Sequence, residues 1–305
     1  METEYLPKGR VNLAATSLPD GEAFYAWQIK RYTTLPLTAR EIHKLGLSEV
    51  KRIRAAMDSV VVVTGFKGSF GEFLQFLRSD PRFYHTSAEA LLTGYRDIAK
   101  RIDGKLPELF AELPRTPYGV RPFPDYEAPA QTTARYYPSA ADASRAGFFM
   151  ANTYKLETRP IYEMEALTLH EAMPGHHLQI ARAQELQGLP PFRRNGDYTA
   201  FIEGWGLYAE SLGPALGLYT DPYSRFGQLT YEMWRACRLV IDTGIHAFGW
   251  TRQQAIDYML ANSAKSVQDV TVEVDRYIYM EIGRASCRKS VDLGGRRIIK
   301  KKKKK

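Results

Sequence analysis

The sequence predicts a mainly α (α+β) fold, a helical body with a small β-sheet beside one motif-bearing helix, and two observations carry this. Thr38 with Glu41, Ser69 with Glu72, Thr86 with Glu89 and Thr251 with Gln254 each form an S/T-x-x-E/Q pair ahead of apolar residues at helical spacing. That is the capping box, in which side chains and backbone amides satisfy one another at a helix start. Two short runs, ARYYP and AGFFMANTYKL, are rich in aromatic and β-favouring residues and predict strands.

Between the early helices and these strands, residues 104–131 hold six prolines without periodicity, which predicts an ordered, wrapping connection. Helices are then expected at about 161–185, 198–212, 224–248 and 252–262. No internal repeat is visible. With 305 residues and 44% apolar content the chain can bury a substantial core.

The net charge of +8 is local. Residues 281–305 hold eleven Lys/Arg and two Asp/Glu, which leaves 31 basic against 32 acidic groups in residues 1–280, a net −1. No nucleic-acid partner is therefore implied for the body. The tail has no periodicity, ends in six lysines and opens with EIGRASCR, which resembles a translated sequencing adapter. It is expected to be non-native or disordered and to stand apart from the body at 1–280. Cys287 lies in this tail and Cys237 is the body's only cysteine, so no disulfide framework exists and cysteine usage does not identify the compartment. No apolar run is long enough to span a bilayer.

The chemistry concentrates in LTLHEAMPGHHLQIA, residues 167–181. Three of the six histidines fall within 170–177, and Glu171 follows the first directly, close to the metal-binding helix pattern HExxH. The second histidine is late. In a straight helix His176 points to the far side from His170, and His177 returns to the same face about 10 Å further along, too far to share a zinc ion. Pro174 lacks the amide that would bond the His170 carbonyl, and Gly175 tolerates non-helical backbone. A two-residue bulge there puts His176 in the place of the usual second ligand and leaves His177 to orient a ligand or face the substrate.

A third ligand is expected from FIEGWGLYAE, where Glu203 and Glu210 share one face of an otherwise apolar helix. The plain alternative is that Glu203 pairs with Arg193, Arg194 or Arg235. Arg238, Asp242 and His246 form a second stripe at intervals of four. Either Arg238 and Asp242 form a buried salt bridge with His246 as a core histidine, or the stripe is a substrate wall on which Arg238 or His246 meets an anion.

Together HEAMPGHHLQ, FIEGWGLYAE, MWRACRLVIDTGIHAFGWTR and EVDRYI, with EYLPKGR, FLRSDPRFY, LPRTPYGVRPFP and GFFMANTY upstream, resemble the bacterial domain of unknown function 885. The resemblance covers nearly all of residues 1–280. That family is regarded as a gluzincin-type zinc metallopeptidase. It implies His170, His176 and Glu203 as ligands of one zinc ion, Glu171 as catalytic base and a peptide as substrate. The family pattern is about twice as long, so the chain resembles its C-terminal part, and after EVDRYI a PGQALAYKIG-like segment gives way to the tail.

On this reading His246 or Tyr277 would help hold the oxyanion, and Glu210 and Asp242 would orient ligand histidines. Asn152 and Tyr154 are further candidates to support the ligands or touch substrate. Two rivals stand beside it: a helical binding or scaffold protein without turnover, and a zinc hydrolase of non-peptide amides or esters.

Overall fold

The computed structural model describes Thr3 and residues 11–279, apart from Asn195 and Asp197. The tail at 281–305 lies outside the described residues. The chain begins with five helices: α1 (Gly21–Thr33), α2 (Ala39–Thr64), α3 (Phe70–Ser79), α4 (Ala88–Asp103) and the single turn α5 (Leu106–Leu109). Capping boxes start α2 at Thr38 and α3 at Ser69. The expected box at Thr86 is corrected by one residue: Ser87 caps α4 by accepting from the Ala90 amide. Glu89 is then one position too early to reach back, and instead accepts from Arg96.

Three strands follow, β1 (Tyr118–Pro122), β2 (Ala134–Tyr137) and β3 (Gly147–Ala151), in the order β1-β3-β2. β2 runs antiparallel and β1 parallel to β3. The proline-rich connection thus conceals a strand. It is tolerated because β1 is at the sheet's edge, where the missing proline amide costs no ladder bond.

The second half contains α6 (Met164–Glu171), α7 (His176–Glu185), the short α8 (Pro191–Arg194), α9 (Thr199–Ser211), α10 (Pro222–Phe248), α11 (Arg252–Asn262) and α12 (Val267–Tyr279). A capping box at Thr251 starts α11. Helix α10 is the axle of the molecule: almost every residue from Phe226 to His246 is buried, as expected of a helix surrounded by protein.

One face of α10 packs with α2 and α3 through Phe226, Met233 and Val240 against Ile53, Met57 and Phe73. On the other side, Tyr231 joins a second core built from α4, α6 and the inner sheet face, with Tyr95, Leu169 and Phe149. Burying each such large apolar side chain contributes about 1.5–3 kcal/mol. Helix α6 is held between α4, β2, α9 and α10, so whatever its C-terminal end carries is brought into the interior. Among the described residues, no helix is long and apolar enough to cross a membrane.

Candidate metal centre

The motif segment is two helices rather than one bulged helix. Helix α6 stops at Glu171, the Met173–Pro174 peptide is cis, and α7 starts at His176. The wide turn is closed by the His177 amide, which donates to Ala172 O at 3.2 Å. Trp205 Nε1 pins the break by donating to Pro174 O at 2.7 Å. A Cβ at Gly175 would lie 1.9 Å from His170 O, so only glycine admits this close crossing.

The break brings His170 and His176 together, with ring centroids 4.5 Å apart and planes at 81°. His170, Glu171 and His176 each offer a donor atom within 4.8 Å of the other two, and all three are buried. Helix α9 adds Glu203, whose Oε2 is 3.6 Å from His170 Nε2. That is long for a hydrogen bond, but two ligands of one tetrahedral zinc at 2.0–2.1 Å stand about 3.4 Å apart. Glu171 also lies within ligand range of both histidines, so distance alone does not choose between the two carboxylates. Glu203 faces the outer nitrogen of His170 from a separate helix.

His170 is set from behind. Its Nδ1–H donates to Glu210 Oε1 at 2.8 Å, and the fully buried Glu210 is braced by Arg235 at 2.7 Å. Arg235 Nη2 also lies 2.9 Å from Nδ1, and the carboxylate is the acceptor that both donors share. A carboxylate behind an imidazole fixes its tautomer and leaves Nε2 as the outward-facing donor. The ring lies flat on α9 because position 206 is glycine: a Cβ there would sit 2.4 Å from His170 Cε1.

Burial and the Arg235 charge disfavour the imidazolium, yet Glu203, Glu210 and Glu171 outweigh them and push His170 up to about 9. Burial raises the Glu171 carboxyl above its ordinary range, opposed by His170 and by the Tyr136 backbone N–H that donates to it. The donor set of two imidazoles with surplus buried carboxylate suits a divalent cation of the zinc type.

A cavity of about 250 Å³ opens in front of these residues, walled by Thr132–Tyr136, by Tyr231, Trp234, Arg235 and Arg238 of α10, and by Lys265 and Asp269. The stripe Tyr231, Trp234, Arg235 and Arg238 has helical spacing and could have been found in the sequence. Asp269 is bonded to Arg159 at 2.9 Å and Lys265 to Glu163, so these charges enter the wall already paired.

Several candidate residues lie elsewhere. His177 does not face the cavity: Tyr136 OH donates to its Nδ1 at 2.8 Å, and Nε2–H donates to Thr116 O at 2.9 Å. Burial pushes it down to about 4, so it is a neutral tie between α7 and the sheet. His246 accepts from the Ala15 amide and donates to Tyr277 O, and Tyr277 OH donates to Glu273. Neither lines the cavity, which removes both as oxyanion donors and leaves His246 a core histidine.

Asp242 accepts from Tyr25 OH, while Arg238 reaches the cavity and pairs with Glu273. Asn152 is a clamp rather than a substrate contact: its Nδ2 donates to the carbonyls of Ala128, Gln131 and Thr132, holding the loop that leads into β2. Tyr154 is exposed and also off the cavity wall.

No curated protein matches the chain. A crystal structure titled "the putative lipoprotein from Colwellia psychrerythraea" is 33% identical with a TM-score of 0.91, over 98% of this chain and 52% of that one. Another solved structure, "a putative lipoprotein of unknown function from Shewanella oneidensis", is 16% identical with a TM-score of 0.72, over 98% of this chain and 55% of that one, and shares the fold. The chain thus spans about half the length of both. The family model described as "Bacterial protein of unknown function (DUF885)" matches residues 1–286, and the chain belongs to that family.

Proposed function

We propose that the protein is a zinc-dependent hydrolase that cleaves peptide bonds, of the gluzincin type. The observation that carries this is the buried cluster of His170, Glu171 and His176, with Glu203 facing His170 Nε2 and Glu210 behind His170. Zinc held there would polarise a carbonyl and bring a water's pKa near 7. Glu171, with its carboxyl raised by burial, takes a proton from the attacking water and returns it to the leaving amine.

Tyr231 and Arg238 are the wall residues able to donate to the developing oxyanion in place of His246 and Tyr277. Tyr231 keeps its proton because burial, then the Glu163 charge, raises its pKa well above normal. A peptide as substrate is supported by β2. It is an edge strand that lines the cavity together with Glu171, so an extended peptide laid along that edge would pair its backbone beside the base.

The test is a mixed-sequence peptide library alongside ester and simple amide substrates, with and without a zinc chelator. Peptide products that vanish with chelator and return with zinc, and that Glu171→Gln abolishes while retaining metal, are expected. Ester turnover without peptide cleavage would reassign the substrate, and no chelator-sensitive turnover of any substrate would reject the hydrolase.

A further inference from the structure

The outer face of the sheet carries groups that the hydrolytic reading leaves unused. Side chains alternate along each strand, so Arg121, Met150 and Arg135 form one row across this face and Gly119, Phe148 and Tyr137 the next. Three exposed guanidiniums stand on aromatic rings there. Arg121 lies 3.7 Å over Phe148, Arg135 5.5 Å over Phe123, and Arg145, from the loop between β2 and β3, 5.6 Å over Tyr137.

A guanidinium held over an aromatic ring keeps further N–H donors with which it can fork a carboxylate. Stacking also removes rotamer freedom that a ligand would otherwise have to quench. Among the described residues these three arginines share one acidic partner within 4.0 Å, Glu127, which is 3.4 Å from Arg135. The patch therefore carries an unbalanced positive charge.

We propose that this face is a substrate-specificity site that binds acidic side chains of a polypeptide, joined to the hydrolytic cavity through Arg135, which lines both. It rests on the peptidase reading and names the substrate class. Arg121 and Arg135 stand two strands apart, about 10 Å, close to the rise of one three-residue turn of polyproline-II chain, so carboxylates at i and i+3 of such a chain fit on one face. A polynucleotide fits less well. The body carries net −1 where a phosphate backbone asks for a continuous basic field, and Glu127 stands within the patch.

Binding is measured apart from turnover, by fluorescence anisotropy of labelled GEGGEGGEGG and GQGGQGGQGG on the Glu171→Gln chain. The acidic peptide is expected to bind at least about tenfold tighter, with the preference lost in 0.5 M salt as for exposed charge pairs. Arg121→Gln with Arg145→Gln should erase the preference without altering the melting temperature. Glu127→Gln, which frees Arg135, should strengthen it severalfold.

Equal binding of the two peptides, or a preference that survives the arginine replacements, overturns the proposal. So does an oligouridylate that binds more tightly than the acidic peptide, or a dimer in sedimentation that the arginine variants dissolve. Acidic-peptide binding by a chain without chelator-sensitive turnover would sink the peptidase and leave the anion site standing; zinc-dependent cleavage without peptide preference would do the reverse.

Discussion

Gly206→Ala places one methyl group against the ring that the account makes a metal ligand. In an exposed helix interior this replacement stabilises by about 0.5–1 kcal/mol. Here the new Cβ would stand 2.4 Å from His170 Cε1, where ordinary contact begins at 3.4 Å, so the imidazole must retreat by about 1 Å. It has little freedom to do so: His170 is 4% exposed, and Nδ1 is bonded to Glu210, itself fully buried and braced by Arg235.

Overpacking of this kind costs about 1–3 kcal/mol, and a ligand moved off its carboxylate support loses about 10–100-fold in metal affinity. A misplacement near 1 Å costs about 10²-fold in rate. Zinc affinity by chelator competition and thermal melting of the metal-free chain read the two effects separately. An unchanged zinc affinity in a folded Gly206→Ala protein would refute the argument, because His170 would then not be seated against α9 as described.

Gly71→Ala is the counterpart, since a Cβ at that helical position meets nothing within 4 Å: it should leave zinc binding alone and raise stability by about 0.5–1 kcal/mol in urea unfolding. His176→Ala should lose zinc with little harm to the metal-free fold. His177→Ala should keep zinc yet destabilise by about 2–4 kcal/mol, because it leaves Tyr136 OH and Thr116 O without their buried partner. The opposite order in equilibrium dialysis and urea melts would exchange the roles of the two histidines.

The sequence showed whatever is decided locally. Capping residues fixed the starts of α2, α3 and α11, and the Pro174–Gly175 pair marked an irregularity that reads as a bulge within one helix where the structure has two helices. Two adjacent candidates blurred the start of α4, where Ser87 caps in preference to Thr86. Long-range geometry was hidden. The stripe from Arg238 to His246 keeps one helix face, but eight residues advance about 12 Å, so Arg238 reaches the cavity while His246 is buried under α12.

Strand β1 was masked by Pro117 and Pro122, because edge pairing is a tertiary fact. The spacing Glu203, Gly206, Glu210 was visible as one face of α9. What it could not show is that the glycine gap between the two acids is filled by an imidazole from α6.

The most direct measurement is the zinc content of purified chain by mass spectrometry, for the native sequence, Glu171→Gln, Glu203→Gln and His176→Ala. About one zinc per chain is expected in the first two and a large loss in the others. Metal-free native protein that takes up no zinc on titration, or a Glu203→Gln chain that holds zinc as firmly as the native one, would contradict it.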